Sequence, residues 1–594
     1  MGDRWRRGMG GQGWAWASGA IAAFYGLLGL VGSFSRPYLI QDDARQHVFW
    51  MGRYLDPDLF PNDAIADYFQ AIAPPIYGAI YQSLATLGID PLLAAKLLPV
   101  FLGFAATAYA YRLTVALLPL PIAGFVAALL ANQSLWLEDD LISGTPRAFA
   151  EVLLLMFADG LVRRRPWPCW IAIALVGGIY PQAMLLAGLA AVLGLVRWHW
   201  QPGRWRWRGD RAAQTIIWGC SAIAVAWVVL LRGQGGAALA AAGFGPALTA
   251  AEARTLPEFG YVLGEPGRSL FFDPNPLLFW LLSPRSGLLF TGVINPLALT
   301  AIALPLWLRR RDQATGSPEA TDPILAQISP QIRLLGHFLA SALLLWTAAH
   351  LLLFRLHLPA RYTHYILLLV LIPGGAIAMT VLGGKLWRWW QRPHTLWQRR
   401  AAIALALAIA IPLIVIPALP SMVIPSHLQV PGRLEQTYAF LRQQPKTALV
   451  ASLSKESDAI PTFARRSVLL GREFAVPYHR GYGNLMRQRI EDTIAAHYTA
   501  DPNQLRAYLT KYSIDYLLVE PWILTAEQLE KQQWLHHYPA AVEPALANLR
   551  AGQIPALNGF IIPCKILEER DRYLLDARCI QTGQPPQQPQ QPQG

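Results

Sequence analysis

Long apolar stretches, each close to the length needed to cross a lipid bilayer, recur along most of the 594-residue chain. Clusters of Arg, Lys and Trp, or Pro and Gly, bound these stretches, as they bound the ends of spanning helices. The pattern therefore predicts about eleven spanning helices. Their expected positions are residues 15–34, 92–116, 120–137, 145–162, 167–180, 182–196, 213–232, 288–308, 334–354, 363–383 and 401–420.

Three of the apolar stretches need a separate interpretation. The first, at 15–34, follows several arginines like a signal peptide, but it is long and no small-residue cleavage pattern follows it, so we predict a retained anchor. The stretch at 74–88 is interpreted as a helix that lies in the membrane interface or re-enters it. The short spans at 167–180 and 182–196 are expected to form a tight pair.

Clusters of basic residues set the orientation, because Lys and Arg are retained on the cytoplasmic side of a membrane. We therefore place the N-terminus and five clusters in the cytoplasm: residues 3–7, 163–167, 197–208, 309–313 and 385–392. The segments expected outside are then residues 35–91, 138–144, 233–287, 355–362 and everything after about 420.

The pattern changes after about residue 420, where short β-type apolar runs such as ALVASL and IDYLLVE alternate with helical patterns. We predict a polytopic α-helical membrane protein with a small C-terminal extracytoplasmic α/β domain. Residues 1–420 would form the transmembrane domain, with an outer loop at 35–91, and residues 421–580 the α/β domain. The Gln- and Pro-rich end, 581–594, is predicted to be a disordered tail.

Composition supports a membrane protein and excludes several other classes. The chain is 54% hydrophobic and 15% charged, against about 25% charged in soluble domains. The net charge of +13 lies in short clusters between apolar runs, which indicates topology and not nucleic-acid binding. No phosphate-binding loop, HExxH or GxSxG motif is present. Among four cysteines, only Cys564 and Cys579 are plausible disulfide partners.

The sharpest candidate site is QDDARQHVFW at 41–50, which follows the first span and carries two adjacent carboxylates, Asp42 and Asp43. If this segment is helical, Asp43, His47 and Trp50 share one face. Arg45 and His47 are taken as supporting residues. The simpler alternative is that the two aspartates only cap the helix and compensate its dipole.

A second acidic group, Glu138, Asp139 and Asp140, is expected on the same side of the membrane. Carboxylates from two loops could then meet in one cavity, as they do where an enzyme holds a general base or a divalent cation. No cofactor is certain from the sequence. If a cation is present, Asp43 and Asp140 are the expected ligands and Mg²⁺ or Mn²⁺ the expected ion.

The third candidate is the outer loop RLHLPARYTHY at 355–365, which contains Arg361, Tyr362 and His364. It is either an ordinary interfacial belt of aromatic and cationic side chains or a phosphate clamp, since guanidinium binds phosphate in a bidentate fork. Arg285 and Arg147 are further phosphate-binding candidates.

The order of these parts resembles the GT-C superfamily of membrane glycosyltransferases, which includes protein mannosyltransferases and the aminoarabinose transferases of lipid A. The resemblance rests on a first span, an outer loop that opens with paired acids, the proline-led segment APPIYGAIYQSLATLG, and the polar second loop EDDLISGTPR. It implies a polyprenyl-phosphate sugar donor, an outward active site, and Asp42 or Asp43 as the catalytic base. Lys or His commonly precedes the proline-led helix in the family, whereas this chain has Ala73.

The resulting hypothesis is transfer of one sugar from a polyprenyl-phosphate carrier to a lipid, glycan or protein acceptor outside the cytoplasmic membrane. The leaving lipid phosphate would then need Arg361, Arg285 or Arg147 as positive partners. A membrane transporter or lipid flippase is the main alternative, although the acids lie in outer loops and no repeated half is evident. A non-catalytic scaffold or sensor that binds a partner through the outer domain is the third.

Overall fold

A computed structural model describes residues 11–195, 197–201, 204–208, 210–289, 296–313, 322–391, 395–398, 400–408, 411 and 429–584. Its larger part is a bundle of apolar helices, and its C-terminal part is a mixed α/β structure. The prediction that 581–594 is a disordered tail falls, beyond residue 584, outside the described residues.

The bundle is built from helices whose bounds follow the apolar stretches of the sequence. They are α1 (Gly11–Ser33), α2 (Asp42–Val48), α3 (Ala64–Ile72), α4 (Pro75–Thr86), α5 (Pro91–Leu117), α6 (Pro121–Leu135), α7 (Asp139–Ile142), α8 (Pro146–Val162), α9 (Pro166–Ile179), α10 (Pro181–Leu195), α11 (Arg211–Ala241), α12 (Ala250–Thr255), α13 (Leu304–Gln313), α14 (Arg333–Leu351) and α15 (Ala360–Trp390). Many begin with Pro, whose fixed φ suits the first helical position and whose missing N–H costs nothing there.

Five helical segments of the described chain are long and apolar enough to cross a membrane: Gly11–Ser33, Pro91–Leu117, Arg211–Ala241, Pro330–Leu351 and Ala360–Trp390. Shorter apolar helices occupy Pro121–Leu135, Pro166–Ile179 and Pro181–Leu195. The chain is thus a mostly helical membrane protein. Only Tyr180 separates α9 from α10, in line with the predicted tight pair. The total of about eleven spans stays a prediction.

One predicted span, 288–308, is not a continuous α-helix, and another, 401–420, is described only in part. The segment 288–308 contains the 3₁₀ helix Pro296–Ala303 followed by the start of α13. Most of 401–420 lies outside the described residues. The segment 74–88, which was predicted to lie in the interface, contains helix α4; this helix begins at Pro75 and has Pro74 as its N-cap residue. Short strands also occur between the helices of the bundle: β1 (Leu39–Gln41), β2 (Arg197–Gln201), β3 (Arg204–Arg208), β4 (Tyr261–Val262) and β5 (Glu265–Pro266).

Residues 429–584, here called the C-terminal α/β region, contain a five-stranded mixed sheet in the order β10-β11-β9-β7-β8. The strands of the region are β6 (Gln429–Pro431), β7 (Leu449–Ala451), β8 (Ser467–Val468), β9 (Tyr516–Val519), β10 (Lys565–Glu569) and β11 (Arg572–Asp576). Strands β7 to β11 form the sheet, and β6 lies outside it. The helices of the region are α16 (Glu435–Gln443), α17 (Ile460–Ala464), α18 (Arg480–Tyr498), α19 (Pro502–Tyr512), α20 (Ala526–Lys531), α21 (Pro539–Arg550) and α22 (Ala577–Thr582). The alternation of β-type and helical patterns in the sequence produced this arrangement. A disulfide joins Cys564 to Cys579.

The bundle and the C-terminal α/β region meet beside α2. Strand β1 pairs antiparallel with β6, so that Leu39 faces Pro431 and Gln41 faces Gln429. Phe49 and Phe474 lie 5.4 Å apart between ring centroids, within an apolar core that continues from the bundle into the C-terminal α/β region. The start of α2 is therefore held on the side of the bundle that carries this region.

Candidate active site

Segments of the helical bundle and the C-terminal α/β region line one cavity of about 1510 Å³. Most of the predicted site residues line it: Asp42, Asp43, His47, Glu138, Asp139, Asp140, Arg147, Arg285, Arg361 and His364. Segments far apart in the sequence thus contribute to one polar cavity. The carboxylates of the two acidic segments, 41–50 and 138–140, meet there as predicted.

The two adjacent aspartates lie in the first turn of α2 but have different surroundings. Gln41 and not an aspartate caps this helix, because its side-chain oxygen accepts the N–H of Ala44 at 3.0 Å. Asp42 is open to the cavity and accepts the Asp43 N–H at 2.9 Å. Partial burial and then the carboxylates of Asp43 and Glu473 raise the pKa of Asp42 to about 6. The carboxylate of Asp43 instead forms an ion pair with Arg147, with Oδ2 2.9 Å from Nη1.

Arg147, the second residue of α8, joins the two acidic loops. Besides Asp43, its guanidinium contacts Asp139 at 3.0 Å and donates from Nε to Asp140 Oδ1 at 2.5 Å. Burial alone would raise the pKa of Asp140, but Arg147 and then His364 outweigh it and hold the pKa well below its usual range. Arg147 therefore serves as the common counter-ion of three carboxylates.

A compact group of possible cation ligands lies beside Arg147. Glu138, Asp140 and His364 are buried and present ligand atoms within 4.8 Å of one another. His364 Nε2 lies 3.0 Å from Asp140 Oδ2 and 3.5 Å from Glu138 Oε2. Among the described residues, neither carboxylate oxygen of Glu138 has a hydrogen-bond partner. Burial and then the nearby acids Glu151 and Asp140 raise the pKa of Glu138 well above its usual value.

The chemistry of this group suits Mn²⁺ better than Mg²⁺, because it combines two carboxylates with an imidazole nitrogen. The ligand pair predicted from the sequence, Asp43 and Asp140, is arranged differently. The guanidinium of Arg147 lies between these two carboxylates and contacts both. A cation site that uses Asp140 would therefore draw on Glu138 and His364 and not on Asp43.

Two of the predicted phosphate-binding arginines, Arg285 and Arg361, have different surroundings. Arg285 is committed to the protein, since it donates to the carbonyls of Leu270 at 3.2 Å and Arg268 at 2.9 Å and to the hydroxyl of Tyr478 at 3.3 Å. In contrast, Arg361 lines the cavity, and within the described residues its guanidinium has no hydrogen-bond or ion-pair partner. The same holds, across the described chain, for the guanidinium of Arg268.

Three of the predicted residues do not face the cavity. Tyr362 is fully buried and donates its hydroxyl to the Leu356 carbonyl at 2.8 Å, so its polar atom is used within its own loop. Trp50 is buried in the core within the 3₁₀ helix Phe49–Tyr54, which follows α2, whereas His47 in α2 reaches the cavity. Arg45 is buried and pairs with Glu473 of the C-terminal α/β region.

Neutral histidines complete the cavity wall. Burial, followed by the positive charge of Arg361, lowers the pKa of His357 to about 4. Burial also lowers the pKa of His47. These two side chains are uncharged near neutral pH, so they add no positive charge to the wall.

Sequence reasoning missed Arg268 and Tyr478 as cavity residues. Arg268 is an isolated cation in a long outer segment, and its only sequence signal is the predicted location of residues 233–287 outside. Tyr478 belongs to the C-terminal α/β region, and nothing local in PYHRG indicates that it reaches back to the bundle.

No family model matches the sequence, and no curated protein matches it. The solved structures similar to it include the following three. The Archaeoglobus fulgidus oligosaccharyltransferase is 14% identical with a TM-score of 0.49, over 87% of this chain and 71% of that one. ArnT from Cupriavidus metallidurans, bound to undecaprenyl phosphate, is 14% identical with a TM-score of 0.45, over 95% and 98%. The arabinofuranosyltransferase AftD from Mycobacteria is 16% identical with a TM-score of 0.46, over 85% and 35%.

The similarity of this chain to these three proteins is one of overall fold. At these identities and TM-scores the similarity carries nothing about the donor, the acceptor or the role of any residue. Those questions depend on the cavity itself.

Proposed function

We propose that this chain is a glycosyltransferase that moves a sugar from a polyprenyl-phosphate carrier to an acceptor on the outer face of the cytoplasmic membrane. One observation carries the proposal: a single cavity presents an open carboxylate, Asp42, and two guanidinium groups without partners in the described chain, Arg268 and Arg361. A carboxylate suits an acceptor hydroxyl or amine, and guanidinium suits a phosphate. Glycosyl transfer from a lipid phosphate requires both.

Asp42 is the better candidate for the general base. It is open to the cavity, and its pKa of about 6 lies closer to neutral pH than that of an ordinary aspartate. The neighbouring carboxylate of Asp43 is engaged by Arg147 and supports the geometry of the two acidic loops. We therefore assign proton transfer to Asp42 and a positioning role to Asp43.

In the proposed reaction, the acceptor oxygen or nitrogen attacks the anomeric carbon of the donor while its proton passes to Asp42. The bond between the anomeric carbon and the phosphate oxygen breaks, and its electron pair leaves with the lipid phosphate. Arg361 and Arg268 stabilise the negative charge that develops on that oxygen. A single displacement without a covalent enzyme intermediate inverts the configuration at the anomeric carbon.

The size of the cavity supports two substrates bound together. Its volume of about 1510 Å³ exceeds the roughly 300–1,000 Å³ of ordinary small-molecule pockets. Its wall also includes apolar residues of α11, such as Leu231 and Leu239, beside which a lipid-linked substrate could lie. The acceptor class is left as a lipid, a glycan or a protein.

The orientation proposed from the basic clusters puts the N-terminus in the cytoplasm and the C-terminal α/β region outside. The disulfide between Cys564 and Cys579 supports this, because disulfides persist in oxidising compartments and are rare in the cytoplasm. The cavity, which is enclosed in part by that region, would then open on the outer side.

The test is transfer of labelled sugar from a panel of polyprenyl-phosphate hexoses, pentoses and aminopentoses by purified protein in lipid nanodiscs. We expect Asp42→Asn to lower the rate by about 10²- to 10⁴-fold, the usual contribution of a general base. Asp58→Asn is the matched control, since Asp58 belongs to the same outer loop, is 86% exposed and is absent from the cavity wall.

Full activity of Asp42→Asn would overturn the assignment of the base. If no donor in the panel gives a covalent product, but sealed vesicles take up or flip a lipid-linked sugar, the chain is a transporter and the proposed function is wrong.

A further inference from the structure

Helix α2, which carries Asp42, contacts the C-terminal α/β region. The contact joins two side chains that are more than 400 positions apart in the sequence. Arg45 donates from Nε to Glu473 Oε2 at 3.0 Å, and its Nη2 contacts the second carboxylate oxygen. Arg45 is only 5% exposed. A bidentate pair of this kind fixes both the distance and the orientation of the two side chains.

The backbone around Glu473 adds further contacts to the same turn of α2. Gln46 donates its side-chain amide to the carbonyl of Glu473. The Arg45 carbonyl accepts the hydroxyl of Thr462 at 3.3 Å. Glu473 is itself held, because its N–H donates to Asp458 Oδ1 at 3.0 Å and Asp458 is 3% exposed. The C-terminal α/β region thus contacts α2 through side chains and through backbone.

These contacts are close to the proposed base along the helix. Positions three and four apart are neighbours on a helix surface, so Arg45 and Gln46 lie one turn from Asp42. Helix α2 has only seven residues, too few to hold its own geometry in water. A rotation or shift of this turn would move the Asp42 carboxylate in the cavity.

Docking of the C-terminal α/β region does not depend on Glu473 alone. Strand β1 pairs with β6, and five further ion pairs of the described residues link the two parts: Lys446–Asp56, Lys446–Asp58, Arg465–Asp90, Arg480–Glu252 and Arg487–Glu258. The contact between Arg45 and Glu473 differs from these in its place, since it acts on the helix of the candidate base.

We propose that Glu473, held by Asp458 and acting through Arg45, is a positioning residue that sets the place of Asp42 in the cavity. The C-terminal α/β region would then be part of the catalytic machinery and not only a platform for the acceptor. This inference rests on the proposed function for its kinetic consequence, but its structural consequence can be measured without activity.

The experiment compares Glu473→Gln with Glu520→Gln in the full-length protein in nanodiscs. Glu520 is a matched control, because it is also a largely buried carboxylate of the C-terminal α/β region paired with an arginine, here Arg572 at 2.6 Å. Glu520 lies outside the cavity wall. Among the described residues, its carboxylate accepts hydrogen bonds from Ser454 and Arg572 and none from α2. Amide hydrogen exchange of residues 42–50 and the steady-state constants kcat and KM are measured for both.

We expect Glu473→Gln to speed exchange of residues 42–50 several-fold and to lower kcat about 10- to 100-fold, the range expected for a misplaced reacting group. The donor KM should change less than about twofold, because the phosphate-binding arginines do not depend on Glu473. Glu520→Gln should match the wild type in all three quantities. Arg45→Gln and the double variant should be no slower than Glu473→Gln, since the two residues act as one unit.

Different results separate the two proposals. Unchanged exchange of residues 42–50 in Glu473→Gln would overturn the positioning role whatever the activity. Faster exchange with an unchanged kcat would also overturn it. A wild type that transfers no sugar would overturn the proposed function, while the exchange comparison would still decide whether Glu473 holds α2.

Discussion

Helix α8 carries a charged cluster at each end, and the two clusters are built in opposite ways. At its start, the single guanidinium of Arg147 contacts the three carboxylates of Asp43, Asp139 and Asp140. Near its end, the single carboxylate of Asp159 contacts two arginines, Arg163 at 2.7 Å and Arg112 at 3.0 Å. One end therefore has excess negative charge and the other excess positive charge.

The two ends also differ in how completely their charges are satisfied. Asp159 is 1% exposed and fully enclosed by its arginines, as expected of a structural ion pair. The cluster at Arg147 opens into the cavity and includes Glu138, whose oxygens have no hydrogen-bond partner within the described chain. Unsatisfied buried groups and shifted pKa values occur at functional sites, so this difference supports the proposal that the site lies at the first end. The arginine-rich end agrees with the predicted cytoplasmic side.

Removing the central cation should have the largest effect. Arg147→Gln leaves the buried carboxylate of Asp140 without its counter-ion, which should cost about 3–5 kcal/mol of stability and abolish transfer. Arg163→Gln at the opposite end is the control; it should cost about 1 kcal/mol, because Asp159 keeps Arg112. Thermal unfolding in detergent measures both. Equal losses in the two variants would show that the ends are energetically alike.

A comparison of two arginines tests the cavity side of this contrast. Arg361→Gln should raise the donor KM about 10- to 100-fold, because hydrogen bonds to charged groups are worth about 1.5–3 kcal/mol. Arg285→Gln should leave the donor KM nearly unchanged and lower the stability of its loop, since its guanidinium is bonded to protein carbonyls. Initial rates over a range of donor concentrations check this, and a larger KM effect in Arg285→Gln would contradict it.

The pH profile tests the raised pKa of Asp42, which follows from burial and then from the nearby carboxylates. Because Asp42 acts as a base only when ionised, and its pKa is raised to about 6, the rate should fall about tenfold per unit below pH 6. An ordinary aspartate would stay ionised to about pH 4. Initial rates between pH 4.5 and 8 show which applies. A rate that is constant down to pH 4.5 would exclude Asp42 as a base with a raised pKa.

A divalent cation should have the smallest effect. The excess negative charge predicts that Mn²⁺ binds at Glu138, Asp140 and His364 and stabilises the protein by about 1–3 kcal/mol at 10 to 100 times its dissociation constant. Thermal unfolding with Mn²⁺ after treatment with a chelator measures this in wild type and in Glu138→Gln, which should show no gain. If Mn²⁺ stabilises both equally, the three residues are not its ligands.

Local pattern was enough to locate many parts of this protein. Apolar stretches of bilayer length, often with a proline at the start, predicted the spans. Nine of the predicted spans are α-helices within the described chain, from α1 to α15. The alternation after residue 420 gave an α/β structure, and adjacent acids after the first span gave residues of the cavity. These features depend on neighbours in sequence, through helix geometry, lipid solvation and charge at the membrane surface.

The sequence by itself determined that this is a helical membrane protein with acidic residues in segments between its long apolar helices, because burial in lipid acts on each segment separately. Only the tertiary structure decided which charges meet. In the structure, Arg285 donates hydrogen bonds to backbone carbonyls and Arg361 faces the cavity, although both are arginines of segments predicted to lie outside. The tertiary structure also brought Glu473 to Arg45, a contact between residues 428 positions apart. Such pairings follow from the packing of whole helices and strands, and no periodicity within a segment encodes them.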